Sequence, residues 1–359
     1  MPIDFTPQRW AKVRETYGRW WAGELDRPIV RITVAGRDPG RDAPKLPRRQ
    51  RTAQYDFAVP AEEVVDVWDY ALSCNEYLGD AFPCVWPDFG PGVLAVALGA
   101  RPQVDDNTVW FHAPGEREIA ELRLRADLSH PWMVRIGRIM AAAQERWGGA
   151  VQVSMTDLGG NLDVVSTFRP SHRLLLDLYD HPDEVKRLVW EAHEAWWAAY
   201  EHFNGILQPA NPGYTAWAGI WSARPYYMLQ CDFCYMISTA MFEEFVRPEL
   251  AATCRRLGNS FYHLDGIGAL PHLDSLLRIP ELKGVQWVCG DGQKPPEQWP
   301  EVYQRVLAAG KLAQFIGSPE GFGRVVDALG TGRGMLVSGH YPRQRRGEAL
   351  EQLARYGLS

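Results

Sequence analysis

The feature that most constrains this chain is a recurring unit: a short apolar run, then glycines beside an ionisable residue, then a stretch with helical spacing. Runs of this kind lie near residues 150–155, 213–217, 259–263, 284–288, 311–316 and 334–338. Such runs fit strands buried on both faces, and helical patterns between them are what parallel β-α-β units require. The expectation is an α/β protein, a (β/α)8 TIM-type barrel. Its 359 residues suit one barrel domain, with residues 1–60 as an N-terminal helical extension and 61–359 as the barrel.

Inside the extension, residues 7–26 read as a helix opened by Pro7, with Trp10, Val13, Tyr17, Trp20 and Trp21 on one stripe, and Ile29 to Val34 as a strand. Residues 36–60 read as a surface excursion, and its basic run Arg48, Arg49, Gln50, Arg51 as a solvated loop able to meet an acidic substrate. Val93 to Leu98 is a continuous apolar run, and alternation from Val109 to Leu124 predicts a small hairpin insertion before a helix over 131–147. A long helix from Pro182 places His193 on its polar, solvated side.

A hydrophobic fraction of 46% supplies ample core material, and a formal charge of -6 opposes binding to nucleic acid or an anionic membrane surface. No stretch approaches the roughly 18 apolar residues of a membrane span, and Asp4, Arg9 and Lys12 stand where a signal peptide needs an apolar core, so a cytoplasmic protein is expected. The six cysteines do not form a disulfide framework, and Cys231 and Cys234 read as two buried thiols.

In parallel barrels the working groups come from the C-terminal strand ends. Here those ends read Thr156-Asp157-Leu158-Gly159-Gly160, His263-Leu264-Asp265-Gly266, Cys289-Gly290-Asp291-Gly292 and Ser338-Gly339-His340-Tyr341. Side chains two apart on a strand share a face, so His263 and Asp265 point inward together, and His340 arrives from the last strand. These three could hold a divalent metal such as zinc, with Cys289 as a further ligand. Equally, Asp265 could orient His263 and His340 donate a proton without metal, or the groups could merely hydrogen-bond the rim. Asp157 and Asp88 join them as catalytic candidates. Asp232 and Asp291 are weaker ones, with turn or cap roles competing, and Asp291 is the better placed to touch substrate.

At these ends the chain resembles the uroporphyrinogen decarboxylase superfamily, which includes the decarboxylase and zinc-dependent methyltransferases that act on corrinoid or thiol cofactors. The resemblance spreads over residues 60–356 and rests on Phe89-Gly90-Pro91-Gly92, Asp157-Leu158-Gly159-Gly160, Phe242-Glu243-Glu244-Phe245, Tyr262-His263-Leu264-Asp265-Gly266 and Gly339-His340-Tyr341-Pro342. It implies an enzyme that cleaves a C–C bond by decarboxylation, or transfers or removes a methyl group, on a small polar substrate. It also implies zinc as a cofactor and a corrinoid protein or a second copy of the chain as partner. Where those methyltransferases carry H-x-C-G, this chain has Asp265 in place of cysteine, and His340 stands near the position of their second cysteine. Any metal would therefore meet nitrogen and oxygen rather than thiolate.

Fifteen tryptophans add a second theme. Trp86, Trp217, Trp221 and Trp287, with Tyr262, fall near strand ends and could stack on a ring-shaped polar substrate. With Asp157, Asp265 and Asp88 they would suit a glycosidase-like hydrolase using paired carboxylates. A barrel that binds a small molecule without chemistry is the remaining reading.

Overall fold

In the computed structural model, residues 3–208 and 210–358 are described. The first helix, Pro7–Trp21, is capped by the Thr6 hydroxyl, which accepts from the Arg9 amide, and it buries Trp10, Val13, Tyr17 and Trp20. The chain then turns at Gly23, and Arg27 forks onto the buried Asp80 carboxylate at 2.6 and 2.8 Å. Asp80 also accepts the Val30 amide, which pins the start of the first strand.

The strands are β1 (Ile29–Ala35), β2 (Asn75–Gly79), β3 (Cys84–Val85), β4 (Arg101–Val104), β5 (Val109–His112), β6 (Gln152–Val153), β7 (Tyr226–Gln230), β8 (Asn259–Asp265), β9 (Gly284–Val288), β10 (Leu312–Phe315) and β11 (Met335–Pro342). Seven form one sheet in the order β2-β1-β11-β10-β9-β8-β7, all parallel except the antiparallel edge strand β2. β3 and β6 form a separate parallel pair, and β4 and β5 a hairpin. The result is a mixed α/β fold with a central, mostly parallel sheet and helices packed around it.

Several expectations change. Residues 1–60 do not merely precede the sheet, because β1 lies inside it between β2 and β11. Residues 213–217 are not a strand: Tyr214 and Ser222 exchange both backbone hydrogen bonds with each other, at 2.8 and 2.9 Å, so the segment folds onto its own turn. β7 has no counterpart among the expected runs. Tyr226-Tyr227-Met228-Leu229-Gln230 is buried at every position, so it lacks the alternation that marks a half-exposed strand.

The apolar run after Gly92 makes only the short helix Leu94–Ala97, bounded by Gly92 and Gly99 at positive φ. The hairpin sits earlier than expected, because the Asp105 carboxylate accepts the amides of Asn107 and Thr108 at 2.8 and 2.6 Å and makes the turn there. The 26-residue helix Pro182–Leu207 does appear, but His193 on it is buried. Helix Arg247–Arg256 covers that side, and His193 Nδ1 meets Glu249 at 2.8 Å with Thr253 alongside. No helix among the described residues is long and apolar enough to cross a membrane.

Candidate active site

The strand ends of β7, β8 and β9 supply the centre of the site. Strand alternation turns His263 and Gln286 to one face and their neighbours Tyr262 and Trp287 to the other. His263 is largely buried, with the Trp217 ring edge-on at 5.1 Å between centroids. Its Nε2 lies 3.8 Å from Asp265 Oδ2, and its Nδ1 is bonded to Gln286 Oε1.

Asp232, in the turn that follows β7, completes a group of three: one donor atom each from Asp232, His263 and Asp265 lies within 4.8 Å of the others. Among the described residues, no arginine or lysine pairs with either carboxylate. Burial works against a charged His263, but Asp265, Asp232 and Gln286 together outweigh it and hold the imidazole pKa above its ordinary value.

Two further carboxyls lie behind this group. Asp163, in the first turn of helix Asn161–Phe168, accepts the amides of Asp232 and Phe233 at 3.0 and 2.8 Å and so fixes the Asp232 turn. Burial, with the Asp232 charge added, raises its pKa. Asp157 is 6% exposed, and burial pushes it up to about 7, with the Asp232 charge adding to the rise and the Gly159 and Gly92 amides opposing it. The loop that holds Asp157 needs Gly159. Its φ is +81°, and a Cβ there would stand 2.6 Å from Gly92 Cα.

Asp265, Cys289 and Asp291 line a cavity of about 330 Å³ together with Asp232 and Tyr235. A second cavity, about 580 Å³, reaches Asp163 and Asp232 from the side of Trp110, Phe111 and Met236.

His340 is not part of the group of three. It lines a different cavity of about 410 Å³ with Asp88, Trp86, Arg31, Arg48 and Arg49. Burial, and then the nearby Arg31 cation, lower its pKa. Asp88 is tied to Arg51 at 2.7 Å and to the Gly90 amide at 3.0 Å, and burial outweighs both in raising its pKa. Arg48 and Arg49 are exposed, as expected, but Arg51 is half-buried against Asp88, and Arg48 and Arg49 also wall a cleft.

Three of the expected substrate contacts belong instead to the core. Trp221, Tyr262 and Trp287 are 0%, 1% and 1% exposed. Trp221 packs on Tyr17, Trp287 packs on Trp299, and the Tyr262 hydroxyl faces Cys234. Tyr262 and Trp287 fall one residue away from inward-facing positions, so they turn toward the helical layer. Trp217 remains half-buried beside His263, and Trp86 half-buried in the separate cavity of His340.

No protein-family model matches this sequence, and no curated protein is similar enough to be matched. Among solved structures, the chain is similar to a methyltransferase from Methanosarcina mazei. The TM-score is 0.61 at 13% identity, covering 92% of this chain and 93% of the other. The fold is shared with a methyltransferase. At that identity the likeness concerns the course of the backbone alone.

Asp163, Gln286, Gln314 and Arg31 also line or support these cavities, and all lie outside the strand-end motifs. A signal was present for the glutamines, since each interrupts an apolar run, Val285-Gln286-Trp287 and Ala313-Gln314-Phe315. A buried amide there must have a partner.

Proposed function

We propose that this chain is an enzyme of methyl transfer or demethylation that acts on a small anionic substrate, with Asp232, His263 and Asp265 at its working centre. The observation that carries this reading is the group of three donor atoms within 4.8 Å, free of competing cations among the described residues, on a backbone shared with a methyltransferase.

The donor set fits a divalent metal such as zinc, through one imidazole nitrogen and two carboxylate oxygens, with Cys289 in the same cavity. A metal bound there would supply a Lewis acid at the substrate's reacting atom. The chain's own residues do the rest. Asp163 holds the Asp232 turn, and Gln286 and Trp217 hold the His263 ring. Asp157, with its pKa near 7, can give or take a proton beside the Asp232 charge. In the separate cavity that holds His340, Arg31, Arg48 and Arg49 would present cations to a carboxylate, sulfonate or phosphate, with Trp86 beside them.

A closed wall of eight parallel strands is part of the same reading: the β3–β6 pair, with the turn beside it, would fill the gap between the ends of the six parallel strands β1, β11, β10, β9, β8 and β7. The Met155 amide, donating to Thr215 O at 2.9 Å, supports it. A corrinoid protein as methyl carrier remains the proposed partner. The hydrolase reading loses two of its four tryptophan platforms to the core.

The test is metal analysis of purified protein after zinc dialysis, with Asp232→Asn, His263→Gln and Asp265→Asn alongside, followed by incubation with a corrinoid and methylated donors watched by absorbance. One bound metal, lost in the variants, with methylation of the corrinoid is the expected result. A protein that binds no zinc and methylates nothing would overturn the reading.

A further inference from the structure

Three neighbouring strands carry a polar side chain at the same level of the sheet. His263 on β8 is in register with Gln286 on β9, which is in register with Gln314 on β10. The two glutamines are 1% and 3% exposed. A buried amide is costly to leave unpaired, and these are paired end to end. Gln314 Nε2 donates to the Ala218 carbonyl at 3.2 Å, Gln286 Nε2 donates to Gln314 Oε1 at 2.7 Å, and Gln286 Oε1 meets His263 Nδ1.

The far end fixes the sense of this chain. A peptide carbonyl only accepts, so Gln314 must turn its NH2 to Ala218 and its oxygen to Gln286. Gln286 must then turn its NH2 to Gln314 and its oxygen to His263. An oxygen facing Nδ1 requires a proton on Nδ1. The anchor is itself held: Gly219, at φ +66°, follows Ala218, and its carbonyl accepts from Arg31 Nη1.

We infer that the relay Ala218–Gln314–Gln286 sets the tautomer of neutral His263, placing the proton on Nδ1, which is in contact with its acceptor, and leaving the Nε2 lone pair to the site, because Asp265 Oδ2 at 3.8 Å from Nε2 lies beyond hydrogen-bonding distance. Gln286 and Gln314 are positioning residues that act through His263. The use of that lone pair, as metal ligand or proton acceptor, rests on the proposed function. The tautomer itself does not, because it is a property of the protein alone. Replacing outer partners of this kind weakens metal binding by about 10–100-fold in known sites.

The experiment is two-bond 1H–15N NMR of imidazole-labelled, metal-free protein at a pH where His263 is neutral, with its signals assigned by their loss in His263→Gln. The expected pattern is Nδ1–H in the wild type and in Gln286→Glu, which keeps an oxygen at that place. A mixture or the Nε2–H form is expected in Gln286→Leu. Gln314→Leu should shift the balance the same way, because Gln286 is then free to turn over. A wild type in the Nε2–H form overturns the inference, as does a Gln286→Leu protein with unchanged tautomer. Should the leucine variants fail to fold, the wild-type and Gln286→Glu spectra still decide it. Nδ1–H in a protein that binds no zinc would support the relay and overturn the metal reading instead.

Discussion

Trp217 stands edge-on to His263, their ring centroids 5.1 Å apart and their planes at 85°, and its buried indole N–H has no partner among the described residues. On the proposed function the ring would have two separable roles, holding the imidazole and offering a donor. Trp217→Phe keeps the first and removes the second. We expect KM to rise about 3–10-fold, the worth of one neutral hydrogen bond of about 0.5–1.5 kcal/mol, with thermal stability little changed. Steady-state kinetics beside a thermal melt check this, and an unchanged KM would assign the indole a packing role only.

The buried Asp157 carboxyl makes stability depend on pH. Its folded pKa of about 7 lies above the unfolded value of about 4, so the folded chain keeps a proton that the unfolded chain releases. The associated penalty is absent below pH ~4, grows as pH rises toward 7 and is then constant, on the order of 3–4 kcal/mol. Asp157→Asn removes it while keeping an acceptor for the Gly159 amide. Urea unfolding at acidic and mildly alkaline pH should show the variant gaining on the wild type as pH rises. Parallel pH profiles would refute the assignment.

Arg48 and Arg49 are exposed and form no ion pair among the described residues, in a chain whose net charge is -6. A cationic cleft on an acidic protein should concentrate small anions, and salt should weaken that effect. Millimolar sulfate is expected to raise the melting temperature of the wild type and not of an Arg48→Gln/Arg49→Gln double variant. Equal stabilisation of both proteins would place anion binding elsewhere.

The Arg27–Asp80 pair is a structural element rather than part of the site. Asp80 is buried and also serves the Val30 amide, so its removal strands both a cation and a backbone donor. Asp80→Ala should cost about 3–5 kcal/mol in chemical denaturation. A loss below about 1 kcal/mol, the scale of an exposed pair, would show that water replaces the carboxylate.

The parts of the site that follow from local rules were legible in the sequence. His263 and Asp265 stand two apart on a strand, so their common face follows from the period of the pleat, and both are in the group of three. The same rule, applied one residue over, shows why Tyr262 and Trp287 are in the core. What was not legible is what depends on distant partners. Asp232 follows β7, a strand without alternation, and Arg48 reaches its cleft from a loop without periodicity. His193 reads as solvated on its own helix and is buried only because another helix covers it.

The sequence by itself determined which side chains two apart on a strand share a face and where glycine lets the chain turn, because these depend on contacts a few residues long. Only the tertiary structure decided that Asp232 rather than His340 completes the group around His263, and that two glutamines from adjacent strands hold that histidine's ring. Strand order and register bring residues far apart in the chain within hydrogen-bonding distance, and no local pattern encodes which strand lies beside which.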